Sequence, residues 1–167
     1  CYKNLVTGNS PDAQRVQKGM AETHHTANLQ GKPAIIVHGQ ADALIHVNHS
    51  SRAYLGLNHL VEGGESQLRY YEIANAHHFD AFNAFPGFNN RYVPLHHYFS
   101  ATLDLMYDHM TKGTPLPDSQ VIWTKRRATD TAGKVEDLTE EHLTGILQTV
   151  DKSRIKIEQG IVKIPVQ

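Results

Sequence analysis

Residues 33–42 read Pro-Ala-Ile-Ile-Val-His-Gly-Gln-Ala-Asp, and this stretch decides the fold class. Pro33 to Val37 is a short, continuous apolar run, suited to a strand buried on both faces of a parallel sheet. Gly39 ends it. A second helix is expected next, capped by Asn48, with Ala53, Tyr54, Leu57, Leu60 and Val61 on one stripe and Gly63-Gly64 as its stop. Leu68 to Ile73, aromatic and β-branched, is a second strand. Strand, helix, strand makes a βαβ unit, which implies parallel strands and a right-handed crossover.

Upstream, Ser10-Pro11 reads as N-cap and first helical residue. Ala13, Val16 and Met20 follow at helical spacing, predicting a helix to about Ala27, with Gly31 closing the unit. Downstream, Ala76 to Tyr92 has no clean period and reads as a loop with apolar anchors. A third long helix is expected from about Pro94 to Lys112, with Phe99, Leu103, Met106 and Met110 on its stripe and Gly113 and Pro115 ending it. Composition then divides the chain into 1–121, the main α/β portion, a polar linker at 122–136, and a tail at 137–167. The tail reads as a helix capped by Thr139, its stripe formed by Leu143, Ile146, Leu147 and Val150. A terminal β-hairpin around Gln159-Gly160 follows.

The 167 residues carry a net charge of -1, which argues against bulk-charge binding of nucleic acid and against a polybasic membrane anchor. No apolar run approaches the roughly 18 residues that a membrane span needs. Cys1 is the one cysteine, so no disulfide can form within the chain. The chain begins without Met and without a signal pattern, and reads as a piece of something longer. Histidine is abundant, with 12 residues including the pairs His24-His25, His77-His78 and His96-His97. A metal-binding module is the minor reading of that count. There is no CxxC and no HExxH, so no metal and no cofactor is expected.

The chemistry gathers beyond the carboxyl ends of the two strands, where open α/β sheets place their sites. Asp42 lies three residues after Gly39, and His77 and His78 follow the second strand. The crossover brings those strand ends side by side. A carboxylate and an imidazole can then meet as the acid and base of a triad, the carboxylate fixing the tautomer of the ring. The order Asp then His matches that of α/β-hydrolases. A plain turn residue and a packed loop histidine are the alternatives. His77 competes with His78 for the base, since neighbouring side chains diverge. His38 is a third candidate, read as a wall of the site or a brace for its loop. Asp80 is a rival acid, set close in sequence to the histidines. No G-x-S-x-G occurs, and Ser50 and Ser51 read as first-turn polar residues, so nucleophile and oxyanion donors must come from an upstream segment. Phe79, Phe82, Phe85 and Phe88 either wall an acyl pocket or anchor the loop.

The segments GKPAIIVHGQADALIHVNHSSRAYLGLNHLVEG (31–63), LRYYEIANAHHFDAFNAFPGF (68–88) and RYVPLHHYF (91–99) resemble the C-terminal third of the D-(-)-3-hydroxybutyrate oligomer hydrolases. The likeness covers Cys1 to about Val121. It implies the C-terminal portion of an α/β-hydrolase fold and a serine esterase cleaving short 3-hydroxybutyrate oligomers. The parent protein would be bacterial, secreted or periplasmic. By resemblance Asp42 is the acid of the HG-x-x-D element, and His78, directly before Phe79-Asp80, is the base in preference to His77. The family usually has another polar residue where His77 stands. The partners implied are a small ester substrate and the upstream part of the same protein, which carries the serine. A feruloyl- or tannin-type esterase is the alternative within the class. A non-catalytic interaction module on a hydrolase fold is the alternative outside it.

Overall fold

The computed structural model describes residues 1–167. A three-stranded parallel sheet carries the chain: β1 (Ala34–Gly39), β2 (Leu68–Ile73) and β3 (Gln120–Ile122), in the order β1-β2-β3. Helices α1 (Tyr2–Thr7) and α2 (Pro11–Thr23) precede it, α3 (Ser51–Glu62) links β1 to β2, and α4 (Leu95–Lys112) links β2 to β3. A two-stranded antiparallel hairpin of β4 (Lys156–Glu158) and β5 (Ile161–Lys163) ends the chain.

The expected parallel βαβ unit is present. Ala34 pairs with Leu68 and Gly39 with Ile73, so the two strands run in step along their whole length. β2 lies in the middle and is almost wholly buried. β1, expected to be buried on both faces, is a sheet edge, and its Ile35, Ile36 and Val37 are only half-buried. Two apolar clusters cover the two faces. Tyr71, Ile73, Val93, Tyr98 and Ile122 form one beneath α4, while Leu55, Leu68, Tyr70, Val121 and Ile155 form the other beneath α3.

Both long helices turn an unexpected face inward. In α4 the predicted stripe residues Phe99, Leu103 and Met110 are exposed and Met106 is half-buried, while Tyr98 and Thr102 are the buried ones. In α3 the predicted Ala53, Leu60 and Val61 are exposed, and Ser51, Leu55, Gly56 and Asn58 face the sheet. Asn58 can be buried because its amide donates to the Ala27 carbonyl and to Glu62, while its oxygen accepts from Ser66. A buried polar group satisfied in this way carries little penalty. Gly56 lets the hairpin approach, since a Cβ there would lie 2.4 Å from the Gly160 carbonyl oxygen.

Other boundaries differ locally. Ser10 caps α2 as expected, its hydroxyl accepting from the Ala13 amide, but the helix ends at Thr23 rather than Ala27. Asn48 lies in a separate 3-10 turn, Val47–His49, and Ser50 precedes α3. The helix expected from Thr139 is a single 3-10 turn, Glu140–His142, closed by a reciprocal Thr139–His142 capping box. Beyond it the buried Gln120 amide donates to the Leu147 carbonyl and accepts from the Leu147 amide. A side chain that imitates a peptide group replaces the helical bonds that Leu147 would otherwise make.

Candidate active site

Parallel pairing in register puts the carboxyl ends of β1 and β2 at one height. The loops leaving them are joined directly: the Gln40 amide donates to the Ile73 carbonyl at 2.8 Å and the Ala41 amide to the Ala76 carbonyl at 2.9 Å. Gly39 makes the approach possible. A Cβ at this position would sit 2.5 Å from the Ala76 oxygen and 3.0 Å from the His77 nitrogen. The His-Gly pair is therefore a steric requirement of bringing the two loops into contact.

Asp42 is buried, only 3% exposed. Its Oδ1 accepts the amides of Leu44 and Ile45, each at 2.9 Å. Its Oδ2 faces Nδ1 of His78 at 2.8 Å. Burial alone raises the carboxyl pKa, but the Ile45 amide, the His78 ring and the Leu44 amide outweigh it and hold Asp42 at about 2. An ionised carboxylate only accepts, so the proton of the shared bond sits on His78 Nδ1 and the lone pair on Nε2. That Nε2 makes no hydrogen bond within the chain, and the His78 side chain is 36% exposed. The arrangement is an imidazole with its tautomer set by a carboxylate and its second nitrogen open.

The rival residues are committed elsewhere. His77 is buried in the following loop, where its Nε2 bonds Asn83 Oδ1 at 2.8 Å and its ring stacks on Phe82 and packs against Phe88 and Tyr92. Asp80 accepts the Leu95 and His96 amides at 2.8 and 2.7 Å, which caps α4 with a negative charge at its N-terminus. Ser51 is buried with its hydroxyl on Nδ1 of His38, and Ser50 bonds the His46 carbonyl. Neither serine lies bonded to His78. Of the four phenylalanines, Phe79 borders the site, whereas Phe82 and Phe88 pack around His77 and Phe85 lies against Phe82.

A second ionic cluster supports the first loop from below. Glu72, fully buried on β2, accepts from Arg52 Nε at 2.8 Å, Tyr70 hydroxyl at 2.7 Å and Gln40 Nε2 at 2.9 Å. Burial raises the Glu72 carboxyl, but the Arg52 guanidinium and the tyrosine hydroxyl hold it below its ordinary value. Nothing in the sequence separated Glu72 from an ordinary strand residue, since its role depends on the register that places it beside His38.

Beside His78 opens a cavity of about 410 Å³ on the α4 side, walled by Val37, Phe79, Ala81, Leu95 and Phe99 with Asp80 and His96 at its polar edge. Despite the abundance of histidine, no group of three or more His, Cys, Asp or Glu side chains is disposed to hold a metal ion. No helix is long and apolar enough to cross a membrane.

The family model described as 3HB-oligomer hydrolase matches residues 1–166, so the likeness extends through the tail. A D-(-)-3-hydroxybutyrate oligomer hydrolase of Paracidovorax citrulli (strain AAC00-1) is 47% identical over 99% of the chain and 24% of its own length. Those of Azoarcus sp. (strain BH72) and Paraburkholderia xenovorans (strain LB400) are 46% and 51% identical, again over 99% of the chain, with 24% and 22% of their own lengths covered. The chain thus spans about a quarter of the length of these curated relatives. No solved structure matches it.

Proposed function

This chain belongs to the 3HB-oligomer hydrolase family, and on that premise we propose that it supplies the acid and base of a serine esterase acting on 3-hydroxybutyrate oligomers. The observation that carries the reading is the 2.8 Å bond between His78 and a carboxylate held ionised. An interaction module without catalysis has no use for a buried acid aimed at one ring nitrogen while the other stays open.

In this reading the fold is the C-terminal portion of an α/β-hydrolase. The serine and the oxyanion donors come from the part of the relatives' length that the chain does not span. His78 Nε2 takes the serine proton as the oxygen attacks the ester carbonyl. Asp42 stabilises the imidazolium that forms. The same proton passes to the departing hydroxyl of the next hydroxybutyrate unit, leaving an acyl-enzyme. Water, deprotonated by His78, then releases the acid and restores the serine. Every proton is accounted for by one imidazole.

Three further observations support the reading. The cavity beside His78 has apolar walls and one polar edge, which suits a short acyl chain bearing a methyl group. The relatives are 3-hydroxybutyrate oligomer hydrolases, which disfavours feruloyl- or tannin-type substrates. The open edge of β1 and the exposed Phe99, Leu103 and Met110 of α4 are an unpaired strand edge and apolar side chains of the kind that another part of a longer protein covers.

The test is release of 3-hydroxybutyrate from a short oligomer by the full-length enzyme and its Asp42→Ala and His78→Ala variants. Loss of turnover in both supports the proposal. Undiminished turnover in either rejects it.

A further inference from the structure

His38 stands one residue before the glycine on which the two loops meet, and it is 8% exposed. Its Nε2 lies 3.2 Å from Asp42 Oδ2 and 2.9 Å from the Ile45 carbonyl. Both of those atoms accept only, so His38 Nε2 carries a proton and donates to them as a three-centred bond. In the neutral ring Nδ1 then holds a lone pair, and the Ser51 hydroxyl donates to it. Every polar atom of the ring is satisfied by one tautomer.

We infer that His38 is a positioning residue for the acid–base pair: it shares Asp42 Oδ2 with His78, and Ser51 on α3 holds its other ring nitrogen. This rests on the triad reading of Asp42 and His78. His38 does more than brace a loop, because its donor lands on the same oxygen that holds His78. Each lone pair of Oδ2 then has its own histidine. The second donor stops the carboxylate from turning about its bond to Cβ. It also withdraws part of the negative charge that would otherwise favour the protonated form of His78.

The groups around this relay are few. From β2, Glu72 sits in register with His38 but is neutralised by Arg52 of α3 and bonded by Tyr70. From the loop after β2 comes His78 itself, with Asp80 capping α4 and His96 at the cavity edge. None of Glu72, His78, Asp80 and His96 bonds His38 itself.

The measurement is the pH dependence of kcat/KM for the full-length enzyme acting on a short 3-hydroxybutyrate oligomer. The variants are His38→Leu, His38→Gln and Ser51→Ala, with His78→Ala as reference. The acidic limb of that profile reports protonation of the free base. Removing the His38 donor leaves more charge on Asp42, favours the imidazolium of His78 and moves the limb to higher pH. For one hydrogen bond the expected shift in His38→Leu is about half a unit. Its kcat should fall about ten- to a hundredfold through misplacement of the base, with KM little changed. Glutamine places an amide donor near the position of Nε2, so His38→Gln should recover most of the loss and return the limb. Ser51→Ala should shift the limb in the same direction by less, and it reads the same point if His38→Leu does not fold.

An acidic limb unmoved in the folded variants overturns the inference, even where turnover falls, because a brace acting only through the Ile45 carbonyl gives that result. Normal turnover in His38→Leu overturns it as well. If His78→Ala itself remains active, the triad reading is what has failed.

Discussion

Asp42 binds His78 through Oδ2 alone, at 2.8 Å, while its Oδ1 is occupied by the amides of Leu44 and Ile45. The division sets the carboxylate plane from the backbone of its own loop and leaves one oxygen to orient the ring. The pair therefore depends on local chain geometry at one end and on strand register at the other.

The carboxylate should contribute to stability in a pH-dependent way. Its folded pKa of about 2 lies below the ordinary 3.8. The contribution is therefore full above the unfolded value and is lost as pH falls through it towards 2. The shift corresponds to about 2 kcal/mol. Urea unfolding of the 167-residue chain should show wild type more stable than Asp42→Asn at pH 6, with the gap nearly closed at pH 2. A gap that stays constant over this range contradicts an ionised, bonded Asp42.

Gly39→Ala should inactivate the full-length enzyme although it alters no titrating group. The added methyl would meet the Ala76 carbonyl at 2.5 Å, which forces the two loops apart. A displacement of about 1 Å costs on the order of a hundredfold in rate. Oligomer hydrolysis by the folded variant measures this, and near-normal turnover would show that the loops need no close contact.

Arg52→Met should destabilise the chain by about 3 kcal/mol, because it strands the fully buried Glu72 charge. Adding Glu72→Gln should recover part of the loss, since the uncompensated charge is then gone. Denaturant midpoints of wild type, single and double variants decide it. A double variant less stable than Arg52→Met alone contradicts the argument.

The isolated 167-residue chain should not turn over a chromogenic short-chain ester, because neither of the serines near the site, Ser50 and Ser51, is bonded to His78. It should also bind an apolar dye through the exposed α4 stripe. Measurable turnover by pure chain would place a nucleophile within it.

Much of this site could be read from sequence because it depends on chain order. An apolar run ending in His-Gly, an acid three residues later, and a histidine after the next strand are topological facts, and parallel pairing turns them into proximity. The choice between His77 and His78 came only from the family resemblance. What separates them physically is the aromatic box of Phe82, Phe88 and Tyr92 around His77, a tertiary feature. The inward faces of α3 and α4 were misread for a related reason. Hydropathy identifies an apolar stripe but not the surface it meets, and here Tyr98, Thr102 and Asn58 turn inward while Phe99 and Leu103 do not. The tail helix failed because the Gln120 side chain, some 27 positions away in sequence from Leu147, takes over its backbone bonds. His38 was legible as a brace, but its bond to Asp42 Oδ2 required the loop geometry.

His78, and not its neighbour, is the proposed base. The direct measurement is kcat for oligomer hydrolysis by the full-length enzyme carrying His78→Ala or His77→Ala, both verified as folded by circular dichroism. Loss of the base falls on the chemical step, so His78→Ala should lose on the order of 10⁴ in kcat with substrate binding largely intact. His77→Ala removes only a loop anchor and should lose about a hundredfold at most. The reverse order, with His77→Ala the crippled variant, would contradict the account and require Asp42 to serve a different partner.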